Sequence, residues 1–288
     1  MIDFEYIKPT KLSDAKKLLG ELKSNAKILA GGTDLVDQIR TKKSQPKVLI
    51  DLKSIPELQI VKNDNSQGLR IGAALPLIKL QQNQSKLRTY PGLLESIGLI
   101  GSVQTQNRAT LGGNIGNASP SADTVPILIA LSTIVLVNSE TGSRKMLLEE
   151  IFNGPGSLIL EEGEFIQELI IPFQSGRSAN HYMRFTPRAE MDIAVVGVGA
   201  SVLVSDDGIV QSVKIGLGAV APIPTRSLNA EDFLKGKLFT LENIEQACEI
   251  LYLDTDPITD IRGSKEYRLE LLKVICKRVL VKCAESLV

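Results

Sequence analysis

Two glycine-rich turns carry the residue types best suited to holding a ligand, and they lie far apart in the chain. The first is ILAGGTDL at 28–35, where a strand-like run enters Gly31-Gly32 and leaves through Thr33 and Asp34. Adjacent glycines permit positive φ and let backbone N–H groups approach an anion with no Cβ in the way. Thr33 adds a hydroxyl donor. The second turn is TLGGNIGNASPSADTVP at 110–126, in which Gly112, Gly113 and Gly116 are interleaved with Asn114, Asn117, Ser119 and Ser121. Neutral donors outnumber charges there, which suits a diphosphate held by backbone amides and hydroxyls. Asp123 stands just before an apolar run, placed to cap a helix or to accept from a sugar hydroxyl. A glycine pair after a strand is also an ordinary structural turn, so spacing alone names no cofactor.

Little else in the chain offers catalytic side chains. There are 288 residues with one His, three Cys and no Trp. A multi-His metal site is therefore excluded, and any Ser-His or Cys-His nucleophile would have to use His181, which reads as a hydrogen-bonded residue beside Tyr182. Cys248, Cys276 and Cys283 show no metal-ligand spacing. Cys276 and Cys283 are seven apart, share a helical face and read as small buried apolar residues. An odd, sparse cysteine count fits a reducing compartment, so the expected location is the cytoplasm. Residues 216–221, GLGAVA, formally fit a dinucleotide fingerprint, but Pro222 and Pro224 follow where a helix must open. That match is rejected. Lys plus Arg equals Asp plus Glu at 33 each, which speaks against nucleic acid. The opening MIDFEYIKPTK has Asp3 and Glu5 where a signal peptide needs an apolar run. The apolar stretch 125–137 is interrupted by Ser132 and Thr133 and is too short to span a bilayer. If the protein is an enzyme, a cofactor carries the reaction.

The elements that position the turns can be read from periodicity. Leu12, Ala15, Leu18, Leu19 and Leu22 follow helical spacing behind a cap at Thr10 or Ser13. Strands are expected at AKILA (26–30), KVLIDL (47–52) and LRIGAAL (69–75), with helices after Pro76 and over 92–100. Gly101 to Asp123 reads as one long loop, of the kind that is functional or disordered in compact domains. It leads into a helix from about Val125, a strand TIVLVN and a strand EFIQELIIP ending at Pro172. The polar stretch 174–180 is the expected domain boundary. After it come two β-rich runs joined at Asp207-Gly208, a hairpin signal. RTKK at 40–43 reads as solvated loop, and a long helix is expected from Ser264.

The two turns together resemble a specific family. AGGTDL near residue 30 and ATLGGNIGNASPSAD near residue 110 look like the FAD-binding medium subunit of the molybdenum hydroxylases, the group of carbon monoxide dehydrogenase, xanthine dehydrogenase and related aldehyde oxidoreductases. The similarity extends to FEYIKPTKLSDAKKLL, to EFIQELIIP and to RFTPRAEMDIAVVGVGASV. It implies an α+β fold: an FAD-binding domain of the vanillyl-alcohol oxidase type over 1–176, with subdomains of about 1–56 and 57–176. A smaller C-terminal α+β domain of antiparallel sheet and helices would occupy 177–288.

The resemblance also implies site residues. Ile28, Leu29, Ala30, Gly31, Gly32, Thr33, Asp34 and Leu35 would wrap the FAD diphosphate, together with Thr110, Leu111, Gly112, Gly113 and Asn114. Asp123 matches an acidic residue near the adenosine ribose, and Ile166 a position that contacts the cofactor through its backbone. Arg184 falls where relatives often have Lys near the flavin ring. No Cys precedes Cys248, so the extra iron–sulfur cluster of some relatives is expected to be absent. No catalytic side chain and no metal ligand is assigned to this chain.

As a subunit it would take electrons from the [2Fe–2S] clusters of a small partner. A large partner would hold the molybdenum cofactor, and an external acceptor such as NAD⁺, a quinone or oxygen would receive the electrons. The expected assembly is a dimer of heterotrimers. Two other functions remain open on sequence: a stand-alone FAD-dependent reductase or oxidase on the same fold, and a cofactor-less scaffold subunit.

Overall fold

The computed structural model describes residues 3–64, 68–189 and 191–287; Glu190, within the RFTPRAEMDIAVV motif, and Met1 and Ile2 of the opening segment lie outside them. The first layer is a small parallel sheet. Strands β1 (Glu5–Ile7), β2 (Ala26–Leu29) and β3 (Val48–Asp51) pair in the order β1-β3-β2, with helices α1 (Leu12–Leu22) and α2 (Leu35–Arg40) in the connections. Central β3 is buried at every position, as the VLI run requires when both neighbours pair with it. Helix α1 puts Ala15 and Leu19 into this core beside Ile50, Ile55 and Phe165. Its N-cap is Lys11, whose side chain makes no capping bond, rather than the expected Thr10 or Ser13.

The second layer is antiparallel. Strands β4 (Val61–Asp64), β5 (Gly68–Gly72), β6 (Ile134–Asn138), β7 (Ser143–Leu147), β8 (Phe152–Gly154), β9 (Ser157–Leu158) and β10 (Phe165–Ile171) follow in the chain. Five of them form the sheet β4-β5-β10-β6-β7, and β8 pairs with β9 separately. Helices α3 (Leu77–Gln82), α4 (Pro91–Gly98), α5 (Val103–Gln106), α6 (Leu111–Gly116) and α7 (Thr124–Ala130) follow, and all of them but α5 supply the large core packed against the sheet. The apolar run 125–137 is thus divided between α7 and β6 and buried in this core. Among the described residues no helix is long and apolar enough to cross a membrane.

The third layer is the sheet β11 (Arg177–Phe185), β12 (Val196–Val204), β13 (Val210–Gly218) and β14 (Thr225–Arg226), antiparallel throughout. The β12–β13 hairpin turns where expected, with Gly208 at φ +78. Helices α8 (Leu228–Leu234), α9 (Leu241–Glu249) and α10 (Lys265–Ser286) cover one face. Ser264 caps α10 through the Tyr267 amide. The other face packs on α7, and there the GLGAVA segment finds its use. A Cβ at Gly216 would collide with the Pro126 carbonyl, and one at Gly218 would lie 2.9 Å from Pro126 Cγ. These glycines continue strand β13 and let a sheet lie flush on a helix; they open no dinucleotide-binding helix.

Hydrogen bonds also join this sheet to the second layer. Asn180 accepts from the Gly92 amide at 3.1 Å and donates to the Thr89 carbonyl at 2.8 Å. Glu95 on α4 accepts from the Tyr182 amide at 2.8 Å and from Lys282 at 2.6 Å. His181, the single histidine, is buried with Nδ1 at 2.9 Å from Glu95 and Nε2 at 2.8 Å from Ser286. Its ring joins β11 to Glu95 of α4 and to Ser286 of the C-terminal helix. All three cysteines are free and buried. Burial and the facing Cys248 thiol raise the Cys276 thiol, led by the hydrogen bond to Cys248, and burial pushes Cys283 up to about 12.

Candidate functional site

The carboxyl end of a parallel strand is where open α/β sheets hold ligands, and β2 runs directly into Ala30-Gly31-Gly32. The turn borders a cleft of about 1070 Å³ between the first two layers. Gly32 takes φ +77, which only glycine adopts at low cost. At Gly31 a Cβ would lie 2.8 Å from Ala109 Cα, so the 108–109 backbone closes the space from behind. Among the described residues, nothing accepts a hydrogen bond from the amides of Gly31, Gly32, Thr33, Asp34 or Leu35; the first amide of this stretch to find a partner is Val36, on the Gly32 carbonyl at 3.1 Å. Five successive unpaired donors on residues that line the cleft are the kind of donor set that an anion-binding turn offers.

The opposite wall is built differently from the expected loop. Between Gly101 and Asp123 lie the short helices α5 and α6. Thr110 is the N-cap of α6, its hydroxyl accepting from the Gly113 amide at 2.9 Å. The Gly112 amide donates to the Ala73 carbonyl at 3.1 Å, and a Cβ on Gly112 would sit 2.6 Å from Ala73 Cβ. Asn114 accepts from the Thr124 hydroxyl at 2.6 Å, which ties α6 to the start of α7. This segment contributes a close backbone approach and neutral side chains, while most of its amides are already paired.

Most of the residues singled out from the sequence come together here. Ile28, Ala30 to Leu35, Thr110, Gly112, Gly113, Asn114, Asp123 and Ile166 all line the cleft. Three do not. Leu29 lies behind the turn with its Cδ1 2.8 Å from where a Gly32 Cβ would be, and Leu111 is wholly buried in the core. Arg184 is engaged by Asp123: its Nη1 lies 2.6 Å from Asp123 Oδ2, while the Tyr182 hydroxyl donates to Oδ1 at 2.8 Å. Burial raises Asp123 against the opposing pull of Arg184 and the Tyr182 bond, leaving it at about 6. Burial, then the Asp123 charge, lifts the Tyr182 phenol well above its ordinary range, so it stays a donor.

Some lining residues had no sequence signal. Lys27 and Lys43 border the cleft, the latter from the RTKK segment read as solvated, and Asp192 and Ile193 reach it from the loop after β11. Lysines on a cleft wall look like any surface lysine in sequence. Among the described residues no group of His, Cys, Asp or Glu is arranged to hold a metal ion. The donor set therefore fits a diphosphate-bearing organic group: free amides on one wall, glycine-cleared backbone on the other, and a carboxylate beyond them.

Comparison with known proteins gives this arrangement a context. Residues 2–174 match the family model described as the FAD binding domain in molybdopterin dehydrogenase, and residues 181–283 match the CO dehydrogenase flavoprotein C-terminal domain. The chain is 30% identical to the nicotinate dehydrogenase FAD-subunit of Eubacterium barkeri, over 100% of this chain and 98% of that one. It is 31% identical to the carbon monoxide dehydrogenase medium chain of Hydrogenophaga pseudoflava, over 96% of each. The solved carbon monoxide dehydrogenase of H. pseudoflava superposes with a TM-score of 0.93 at 30% identity, covering 99% of both chains. Quinoline 2-oxidoreductase from Pseudomonas putida 86 gives 0.89 at 26% identity, covering 98% of this chain and 97% of that one.

Proposed function

This chain belongs to the family of FAD-binding medium subunits of the molybdenum hydroxylases, and on that premise we propose how it holds the cofactor and where its electrons go. It is an oxidoreductase subunit, and FAD is the cofactor of this chain, with molybdenum cofactor and iron–sulfur clusters belonging to other subunits. The observation that carries the site assignment is the row of amides from Gly31 to Leu35, unpaired among the described residues, on a turn that lines one cleft with Thr110, Gly112, Gly113 and Asn114.

The amides of Gly31 to Leu35 would hold the diphosphate, with the Thr33 hydroxyl beside them and Thr110, Gly112, Gly113 and Asn114 closing the other side. Charge-assisted bonds from backbone N–H groups to phosphate are short and strong, and the glycines remove the Cβ atoms that would keep the anion at a distance. Asp123 and the Ile166 backbone lie on the same cleft and would meet other parts of the cofactor. Arg184 acts at one remove: it orients Asp123 together with Tyr182. When bound, FAD supplies a carrier that both accepts and releases electrons. The chain's own part is binding, orientation and electrostatic tuning, and no side chain needs to move a proton.

The proposed division is an FAD-binding domain over 1–176, itself two subdomains, and a C-terminal domain over 177–288. Three separate apolar cores support a three-part division in outline, with Leu58, Ala74 and Phe165 joining the first core and Tyr182 the second. The relatives are medium chains and FAD subunits of multi-subunit enzymes. For this protein we propose a small [2Fe–2S] partner as electron donor and a large molybdenum-binding partner, assembled as a dimer of heterotrimers. Electrons leave to an external acceptor, NAD⁺, a quinone or oxygen. The proposed location is the cytoplasm, in keeping with three unpaired cysteines. Absorbance of the purified assembly tests the core of this proposal: one oxidised flavin per chain is expected, and an assembly that takes up no FAD on reconstitution refutes it.

A further inference from the structure

The direction of the Gly31 amide depends on the peptide unit that precedes it. The Ala30 carbonyl accepts a hydrogen bond from Lys53 Nζ at 2.9 Å. Among the described residues every peptide bond is trans, and in a trans unit the C=O and N–H point in opposite directions. Holding the Ala30 oxygen on the rear of the turn therefore aims the Gly31 N–H forward, to the side on which Gly31 borders the cleft.

Lys53 is itself fixed. Its ammonium lies 2.7 Å from Asp51 Oδ1 at the carboxyl end of β3, and its backbone N–H donates to the same oxygen at 3.0 Å. The other carboxylate oxygen accepts from the Tyr6 hydroxyl of β1 at 2.5 Å. Asp51 is 3% exposed, so a free side chain there would be costly. Burial alone would raise its pKa, but the Lys53 and Tyr6 bonds outweigh burial and keep the carboxylate below its usual range. The sheet order β1-β3-β2 brings the three groups together behind the turn. Lys53 does not border the cleft, whereas its neighbour Leu52 does.

We propose that Lys53 is a positioning residue for the cofactor, locking the Ala30 peptide so that the turn's amides face the diphosphate, with Asp51 and Tyr6 as its anchor. This rests on the assignment of the turn to the FAD diphosphate. The role is indirect: the ammonium is held by Asp51 and the Ala30 oxygen, and its effect reaches the cofactor through the backbone.

The test uses the assembled complex, stripped of flavin and titrated with FAD, with the ³¹P spectrum of bound FAD recorded alongside. Lys53→Met is expected to weaken FAD binding by about tenfold or more, as loss of a bond to a charged donor implies, and to shift the diphosphate resonances. Tyr6→Phe takes one bond from Asp51 but leaves Lys53 on Ala30, so it is expected to weaken FAD binding less than Lys53→Met and to shift the diphosphate resonances less; an effect as large as that of Lys53→Met overturns the proposal. Asp51→Asn/Lys53→Met removes the buried carboxylate's charge together with its partner, so it remains informative should the single variant misfold; the same loss and the same spectral shift are expected. Wild-type affinity in the Lys53 variants overturns the proposal, as does weakened binding with an unchanged ³¹P spectrum. A wild-type complex that binds no FAD overturns the diphosphate assignment itself.

Discussion

Among the described residues, the turn at 28–35 leaves five successive amides without a partner, whereas the segment at 110–116 closes into a helix, its Gly112 amide donating to the Ala73 carbonyl and its Gly113 amide to the Thr110 hydroxyl. Both are glycine-rich and both border one cleft, yet their glycines answer different needs. In the first, Gly32 takes a positive φ at the turn after β2. In the second, Gly112 lets a helix lie against the Ala73 backbone, and Thr110 caps that helix. On the proposed reading, the first turn would bind through its backbone, and the second would bring its backbone and side chains close.

Substitutions can break this contrast. Gly32→Val should have the largest effect. A β-branched residue at φ +77 is strained by about 1–3 kcal/mol, and its Cβ would approach Leu29 Cδ1 at 2.8 Å. Equilibrium titration should show FAD affinity lowered at least about a hundredfold, the equivalent of two bonds to a charged group. Circular dichroism should show the C-terminal sheet still folded.

Next comes pH. Asp123 titrates at about 6 in the folded chain against an ordinary 3.8. Its folded-state pKa is raised, so its contribution to stability is fully present below about 4 and lost as pH rises through about 6. Two units correspond to about 3 kcal/mol at most. Urea unfolding of wild type and Asp123→Asn across pH 4–8 should therefore show the wild type losing stability relative to the variant over that window. A constant difference would mean that Asp123 is not perturbed.

Thr110→Ala removes the cap of α6 and should cost about 1 kcal/mol in thermal or urea unfolding. Its effect on FAD should be smaller than that of Gly32→Val, because the first turn keeps its donors. The smallest effect belongs to Gly116→Ala. A Cβ there meets nothing within 4 Å, so a gain of up to about 1 kcal/mol from helix propensity is expected, with flavin affinity unchanged. A large loss of flavin in that variant would move the second segment from packing to direct binding.

The strands, the hairpin at Asp207-Gly208 and the capped final helix were legible because they obey clear periodicities and turn chemistry. The stretch 101–123 was not. Helices of four and six residues, one carrying Gly112, Gly113 and Gly116, have too few turns to show a period and too much glycine to suggest a helix. Both turns were visible as ligand loops, but the difference between them lies in hydrogen bonds to Ala73 and from Lys53, far away in sequence. The pairing of Asp123 with Tyr182 and Arg184 spans about 60 residues and two layers, and no local pattern records it. The rejected fingerprint at 216–221 opens no helix, as its prolines indicate, but only Gly216 to Gly218 are extended and the chain bends over 219–223; its packing role on α7 had no signal.

The central claim, that the amides of Gly31 to Leu35 hold the FAD diphosphate, is tested most directly by amide hydrogen exchange of the assembled complex with and without FAD. The five amides should exchange rapidly in the flavin-free form and become strongly protected when FAD is bound, while the α6 amides, already paired, change little. Exchange at residues 31–35 that is the same with and without bound FAD would contradict the account.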